Sequence, residues 1–136
     1  MSMQLKEMEA VFKALADSTR LRILGLLLAG EVCVCHVHES LRIPQPKASR
    51  HLAYLRRAGL VETRKDGLWV YYRLASAADP IVGTIEQAVT HLLQHLDIVK
   101  KDASRLEKKT GCCLPRTAEM PQFACCAGDR AEQARG

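Results

Sequence analysis

Cys33 and Cys35 stand two residues apart within Glu31-Val32-Cys33-Val34-Cys35-His36-Val37-His38. Thiols this crowded suit a single soft ion, because thiolate sulfur prefers soft, polarisable metals and metalloids. Four further cysteines form two adjacent pairs, Cys112-Cys113 and Cys125-Cys126. Neighbouring Cα atoms lie ~3.8 Å apart, below the ~4.4 to 6.8 Å of an unstrained disulfide, so neither pair closes readily on itself. The amino terminus lacks the basic-then-apolar layout of a secretory signal, which turns the reading of all six cysteines from a disulfide framework towards metal-binding or redox thiols. Cys33 and Cys35 have an alternative role as small buried apolar fillers.

The spacing of that pair carries a mechanical expectation. Side chains at i and i+2 point to one side of an extended segment but to different faces of a helix. Both sulfurs are therefore expected to reach one ion only where the backbone departs from regular helix, so that binding unwinds or prevents the first turn of a helix beginning near Cys35. A second pair, His91 and His95, lies at i, i+4 on a helical stretch; that spacing can hold zinc, and equally fits packing or solvated residues.

Charge marks a different kind of site. The net charge is +5, and residues 42–73 hold eight Lys/Arg against two Asp/Glu, whereas residues 1–41 hold four against five and residues 74–136 eight against eight. A localised basic patch between neutral flanks is the footprint of a surface that meets phosphates. Inside it Lys47, Arg50, His51 and Tyr54 fall at i, i+3, i+4 and i+7, while Ala48, Leu52 and Leu55 form the opposing apolar stripe. Such a helix fits the major groove, with Gln45, Lys47 and Ser49 near its amino end placed to meet base edges or phosphates. Arg64 and Lys65, at the tip of a hairpin, would touch backbone phosphate. An ordinary exposed amphipathic helix is the alternative.

The elements that must position these residues are legible in the periodicity. A chain of 136 residues supports one domain, here residues 1–109, followed by a tail, residues 110–136, poor in hydrophobic content and carrying four cysteines. Leu5, Met8, Val11, Phe12 and Leu15 make one helical stripe; Asp17 and Ser18 cap a second, mostly buried helix that Gly30 stops. A short helix from Cys35 to Leu41, a break at Arg42-Ile43-Pro44-Gln45-Pro46 and a helix from Lys47 to Ala58 suggest helix-turn-helix. Leu60 to Arg64 and Leu68 to Leu74, around Lys65-Asp66-Gly67, read as a β-hairpin wing. Asp79-Pro80 opens a final long helix with Ile81, Ile85, Ala88, Leu92, Leu96 and Val99 on one face. The fold class is mainly α with a β-hairpin wing (α+β), a winged helix-turn-helix. The longest apolar run, within Ile23 to Ala29, is far short of the ~20 residues of a membrane span, and the protein is expected to stay in the cytoplasm. The chain has no Cys-x-x-Cys on a βαβ pattern, no phosphate loop and no Gly-rich cofactor turn, which argues against an enzyme.

Three stretches resemble the ArsR/SmtB family of metal-responsive repressors: Phe12 to Leu24, Gln45-Pro46-Lys47-Ala48-Ser49-Arg50-His51-Leu52 with Leu55 to Val61, and Gly67-Leu68-Trp69-Val70-Tyr71-Tyr72. The resemblance covers roughly residues 5–100 and implies a homodimer, with the first and last helices at its interface, on double-stranded operator DNA. The segment from Glu31 to His38 resembles the arsenic- and cadmium-sensing box of that family, usually Glu-Leu-Cys-Val-Cys-Asp with a third Cys two residues later in arsenic sensors; here His38 holds that third place. The resemblance implies Cys33 and Cys35 as ligands of As(III) or Sb(III), with Cd(II), Pb(II) or Zn(II) as alternatives. The third donor stays open among Cys112, Cys113, His38, or none from the protein, with Cys125 and Cys126 further candidates. It implies an arsenite- and antimonite-responsive repressor that leaves DNA when the ion binds; a thiol or persulfide redox sensor on the same fold is the nearest alternative, and a metal scavenger without DNA a more distant one. One departure is Pro44, where the family often has a Ser that caps the recognition helix.

Overall fold

The computed structural model describes residues 4–76 and 80–108. Helix α1 (Leu5–Leu15) starts where the Glu7 carboxylate accepts from the Gln4 backbone N–H at 3.2 Å, and buries Val11 and Ala14. The Asp17 side chain then accepts from the Arg20 N–H at 3.1 Å, satisfying a backbone donor of the first turn of α2 (Ser18–Leu26). α2 runs into a 3₁₀ turn, Leu27–Ala29, which ends at Gly30 with φ 130, a conformation that favours glycine. Strand β1 (Val32–Cys33) leads directly into α3 (Val34–Leu41).

After α3, Arg42 adopts a left-handed conformation (φ 59, ψ 47), and the Ile43 N–H bonds back to the His38 carbonyl at 3.0 Å. Pro44 and Pro46 bracket the start of α4 (Gln45–Arg57); Pro44 sits at the cap position and no side chain closes the first turn, so the departure noted in the sequence leaves the helix to start on proline geometry alone. α3 and α4 pack as a helix-turn-helix. β2 (Val61–Asp66) and β3 (Trp69–Leu74) follow, turned at Gly67 with φ 63.

The hairpin is not alone. β1 joins it, giving an antiparallel sheet of order β1-β3-β2 with Cys33 opposite Tyr71 and Arg64 opposite Tyr71 on the other side. The thiol segment is thus a strand of the wing sheet as well as the head of α3. Ile23, Leu26, Leu41, Leu52, Leu55, Leu60 and Val61 form the centre of the core between the helices and the sheet.

The carboxyl-terminal region differs from the single long helix its periodicity suggests. α5 (Pro80–Leu93) ends in a turn where the His95 N–H bonds to the Leu92 carbonyl and the Leu96 N–H to that of Leu93, both at 3.1 Å, and a separate helix, α6 (Asp97–Glu107), follows. A straight helix would carry Val99 ~27 Å from Ile81. The break instead lets α6 bury Val99, Asp102 and Leu106 in contact with α2 and α3. Leu5 and Phe12 of α1, Ile81 and Leu92 of α5, and Leu96 after it stay exposed. Among the described residues, no helix is long and apolar enough to cross a membrane.

Candidate metal centre and nucleic-acid interface

Cys33 has extended backbone (φ −81, ψ 161) and occupies the cap position of α3, while Cys35 lies in its first turn. This junction of strand and helix brings the two sulfurs to 2.9 Å. The backbone departs from regular helix at Cys33, as the spacing requires, but the first turn of α3 is intact: the helix begins one residue before Cys35, and placing only one of the two cysteines in it lets the sulfurs converge. Both thiols are buried, over Tyr71 and beside Trp69. Hydrogen bonding to Cys35 pulls the Cys33 thiol below its ordinary range; burial opposes this, and backbone N–H groups of His36 and Cys35 at the head of α3 add to the lowering. One sulfur of the pair is thus predisposed to the thiolate form that binds soft ions.

A third candidate donor, passed over in the sequence, lies beside the two thiols. His36, 1% exposed, lies with Cys33 and Cys35 so that the ligating atoms are all within 4.8 Å of one another. Its signal was its position directly after Cys35, where the resembling box has Asp. His38 is not part of this group: its Nδ1 is 3.2 Å from the Ile43 carbonyl, and its side chain lines a groove with Pro44, Gln45 and Ser49 at the turn before α4. Cys112, Cys113, Cys125 and Cys126, and with them the tail of residues 110–136, lie outside the described residues. The exposed His91 and His95 rings stack edge to face with centroids 5.3 Å apart.

The proposed DNA face divides into two groups. Ala48, Leu52 and Leu55 are buried, and Arg50 is exposed on the opposite side, with Gln45, Lys47 and Ser49 half-buried near the amino end of α4. His51 and Tyr54 turn towards α2. The His51 Nδ1 is 3.3 Å from Arg20 Nη1, and the Arg20 guanidinium sits 4.1 Å from the centre of the Tyr54 ring. Burial pushes the His51 pKa down; Asp17 opposes this, and Arg20, Lys47 and Arg50 add to the lowering. Arg20 also donates to the Ala14 and Lys13 carbonyls at 2.8 and 3.1 Å, which fixes α4 to the end of α1; no sequence signal pointed to that role. Lys65 is exposed near the wing turn, whereas Arg64 reaches back along the sheet to Glu31.

This is a winged helix-turn-helix with a buried thiol pair at the head of the first helix of the motif, the architecture of a DNA-binding regulator. Residues 17–63 match the model of the arsR family of bacterial regulatory proteins. The chain belongs to that family. It is 58% identical over 66 residues to the arsenic resistance transcriptional regulator ArsR1 of Pseudomonas putida, covering 47% of this chain and 51% of that protein. It is 35% identical over 114 residues to the arsenical resistance operon repressor of Staphylococcus aureus, covering 82% of this chain and 100% of that one. Among solved structures it is similar to the homodimeric winged helix-turn-helix DNA-binding domain of Mb0332 from Mycobacterium bovis, with TM-score 0.58, 33% identity, and 71% and 94% of the two chains covered. The chain therefore spans about half the length of the Pseudomonas relative and all of the staphylococcal one.

Proposed function

We propose that this chain is a transcriptional repressor that binds operator DNA as a homodimer and is released when trivalent arsenic, as arsenite, binds the Cys33 and Cys35 thiolates, antimonite acting likewise. The carrying observation is the placement of two buried sulfurs 2.9 Å apart at the first turn of α3, the helix that packs directly against α4. An ion bonded to both sulfurs imposes its own separation and angles on a pair now 2.9 Å apart, and so displaces Cys35 and the first turn of α3 that carries it. α3 then shifts against α4, and Gln45, Lys47, Ser49 and Arg50 leave their DNA register, which couples ion and operator as a reciprocal free energy. Exposed Leu5, Phe12, Ile81 and Leu92 on α1 and α5 supply apolar surface for the second copy, in line with a dimer. Residues 1–109 are the repressor domain in this reading, and Cys112 or Cys113 in the tail supplies the third thiolate that trivalent arsenic prefers.

His36 favours a second reading. Two thiolates with one imidazole suit a divalent thiophilic ion, Cd(II), Zn(II) or Pb(II), better than a three-thiolate arsenic site. The two are separated by fluorescence anisotropy on a self-symmetric operator fragment, titrated with arsenite, cadmium, zinc and an oxidant, for the wild type and Cys33→Ser/Cys35→Ser. Release of the wild type alone by arsenite supports the first reading; release by cadmium or zinc but not arsenite supports the second. Release of the serine variant by arsenite overturns Cys33 and Cys35 as the sensor.

A further inference from the structure

We infer that Arg64 is a positioning residue that bolts the wing to the sensing strand through Glu31, so that the wing is a second arm of the switch besides α3. The inference rests on the proposed inducer site and extends its action from α3 to the wing. Its first support is the sheet. β1 is hydrogen-bonded to β3, with Cys33 opposite Tyr71, so any displacement of Cys33 acts on the wing strand directly.

The second support is what Arg64 does. Its Nε lies 3.0 Å from both carboxylate oxygens of Glu31, two residues before Cys33, and its guanidinium sits 4.9 Å from the centre of the Tyr71 ring, the ring packed on the two thiols. Its Nη2 is buried without a hydrogen-bond partner, while the side chain as a whole is 33% exposed and its Nη1 lies 4.0 Å from Asp66 Oδ2, so the guanidinium is engaged along the sheet on the Glu31 side. Arg73 of β3 adds a 3.6 Å ion pair to the same Glu31 carboxylate. One carboxylate thus ties both wing strands to the segment that carries the thiols. A phosphate-reading arginine would instead leave its guanidinium free of protein carboxylates.

The test compares wild type, Glu31→Gln, Arg64→Met and the double variant in two measurements. The first is operator affinity with and without arsenite at several salt concentrations. The bolt predicts that each single variant lowers the arsenite release ratio by about two- to thirtyfold, the range by which residues in a coupling network act. The double variant should fall no further than Glu31→Gln alone, because that change already removes the Arg64 contact together with the Arg73 ion pair. If Arg64→Met leaves the ratio at the wild-type value and reduces the salt slope by about one unit, Arg64 is a phosphate contact and the inference is overturned. The second measurement is amide hydrogen exchange of the ligand-free full-length protein. Faster exchange in residues 32–33 and 69–74 of both single variants supports the bolt, and unchanged exchange there overturns it. A wild type indifferent to arsenite defeats the functional reading alone, since the exchange measurement needs no ligand.

Discussion

Arg22 of α2 and Asp102 of α6, eighty residues apart, meet in a two-point contact: Nε donates to Oδ2 at 3.0 Å and Nη2 to Oδ1 at 2.8 Å. Arg105 completes the group, donating to Oδ1 at 2.7 Å and to the Ser40 carbonyl at 2.6 Å, while Arg22 also reaches the Leu41 carbonyl at 3.2 Å. Asp102 is fully buried, and its two arginines satisfy carbonyls at the end of α3. The group therefore fixes α6 to the helix-turn-helix itself.

Asp102→Ala leaves two guanidiniums facing a buried void, and removing one partner of a buried pair costs about 3 to 5 kcal/mol. Because the Arg22 and Arg105 side chains are 23% and 24% exposed and gain water on release, the lower end applies. A loss of about 3 kcal/mol in urea unfolding is expected. A loss under about 1 kcal/mol, the worth of a surface pair, would show that α6 is held by its apolar contacts alone.

Gly25 tests those apolar contacts. A Cβ there would lie 2.7 Å from Val99 Cγ1 and 3.0 Å from Cγ2, and a β-branched side chain has little freedom to retreat. Gly25→Ala gains about 1 kcal/mol in helix propensity and loses about 1 to 3 kcal/mol to overpacking. A net destabilisation is expected, and it should disappear in a Val99→Ala background, where the propensity gain remains. Equal effects in both backgrounds would mean that the two residues are not in contact.

What was legible in the sequence follows where periodicity is strong. The stripes of α1 and α4, the cap at Asp17 and the hairpin around Gly67 each carry a local signal, and they recur as elements in the structure. β1 is two residues long, too short for alternation to register, and its pairing with β3 comes from tertiary contact. The break before α6 is silent because Leu92, Leu96 and Val99 keep helical spacing through it. Asp102 reads as one more charge after Lys100, since nothing local marks a carboxylate whose two partners include a residue on α2. His36 and Arg64 were masked for the same reason: their roles depend on what the sheet brings opposite them.

Glu86 makes stability depend on pH. Burial, with the Glu62 charge a second cause, raises its pKa from 4.5 to about 7, and its Oε1 is buried with no hydrogen-bond partner. Between those two values the folded state holds a proton that the unfolded state has released, so unfolding free energy falls as pH rises from about 4.5 to about 7 and is level above. Discounted for partial exposure, Glu86→Gln should add about 1 to 2 kcal/mol at pH 8 and flatten that slope. Urea midpoints at several pH values measure both; a variant with the wild-type slope would remove Glu86 as its cause.

The donor set at the thiols makes the last prediction. His36 is buried with Cys33 and Cys35, whereas the His38 ring is turned to the Ile43 carbonyl. A borderline divalent ion gains from imidazole, while trivalent arsenic gains chiefly from sulfur. His36→Ala should therefore weaken cadmium binding by at least the ~10- to 100-fold that loss of an outer-shell partner costs, and change arsenite binding far less. His38→Ala should change neither. Chelator competition for cadmium and thiolate absorbance for both ions give the affinities. If His38→Ala weakens binding and His36→Ala does not, the third donor lies where the sequence box placed it, and the ion must turn α3 to reach it.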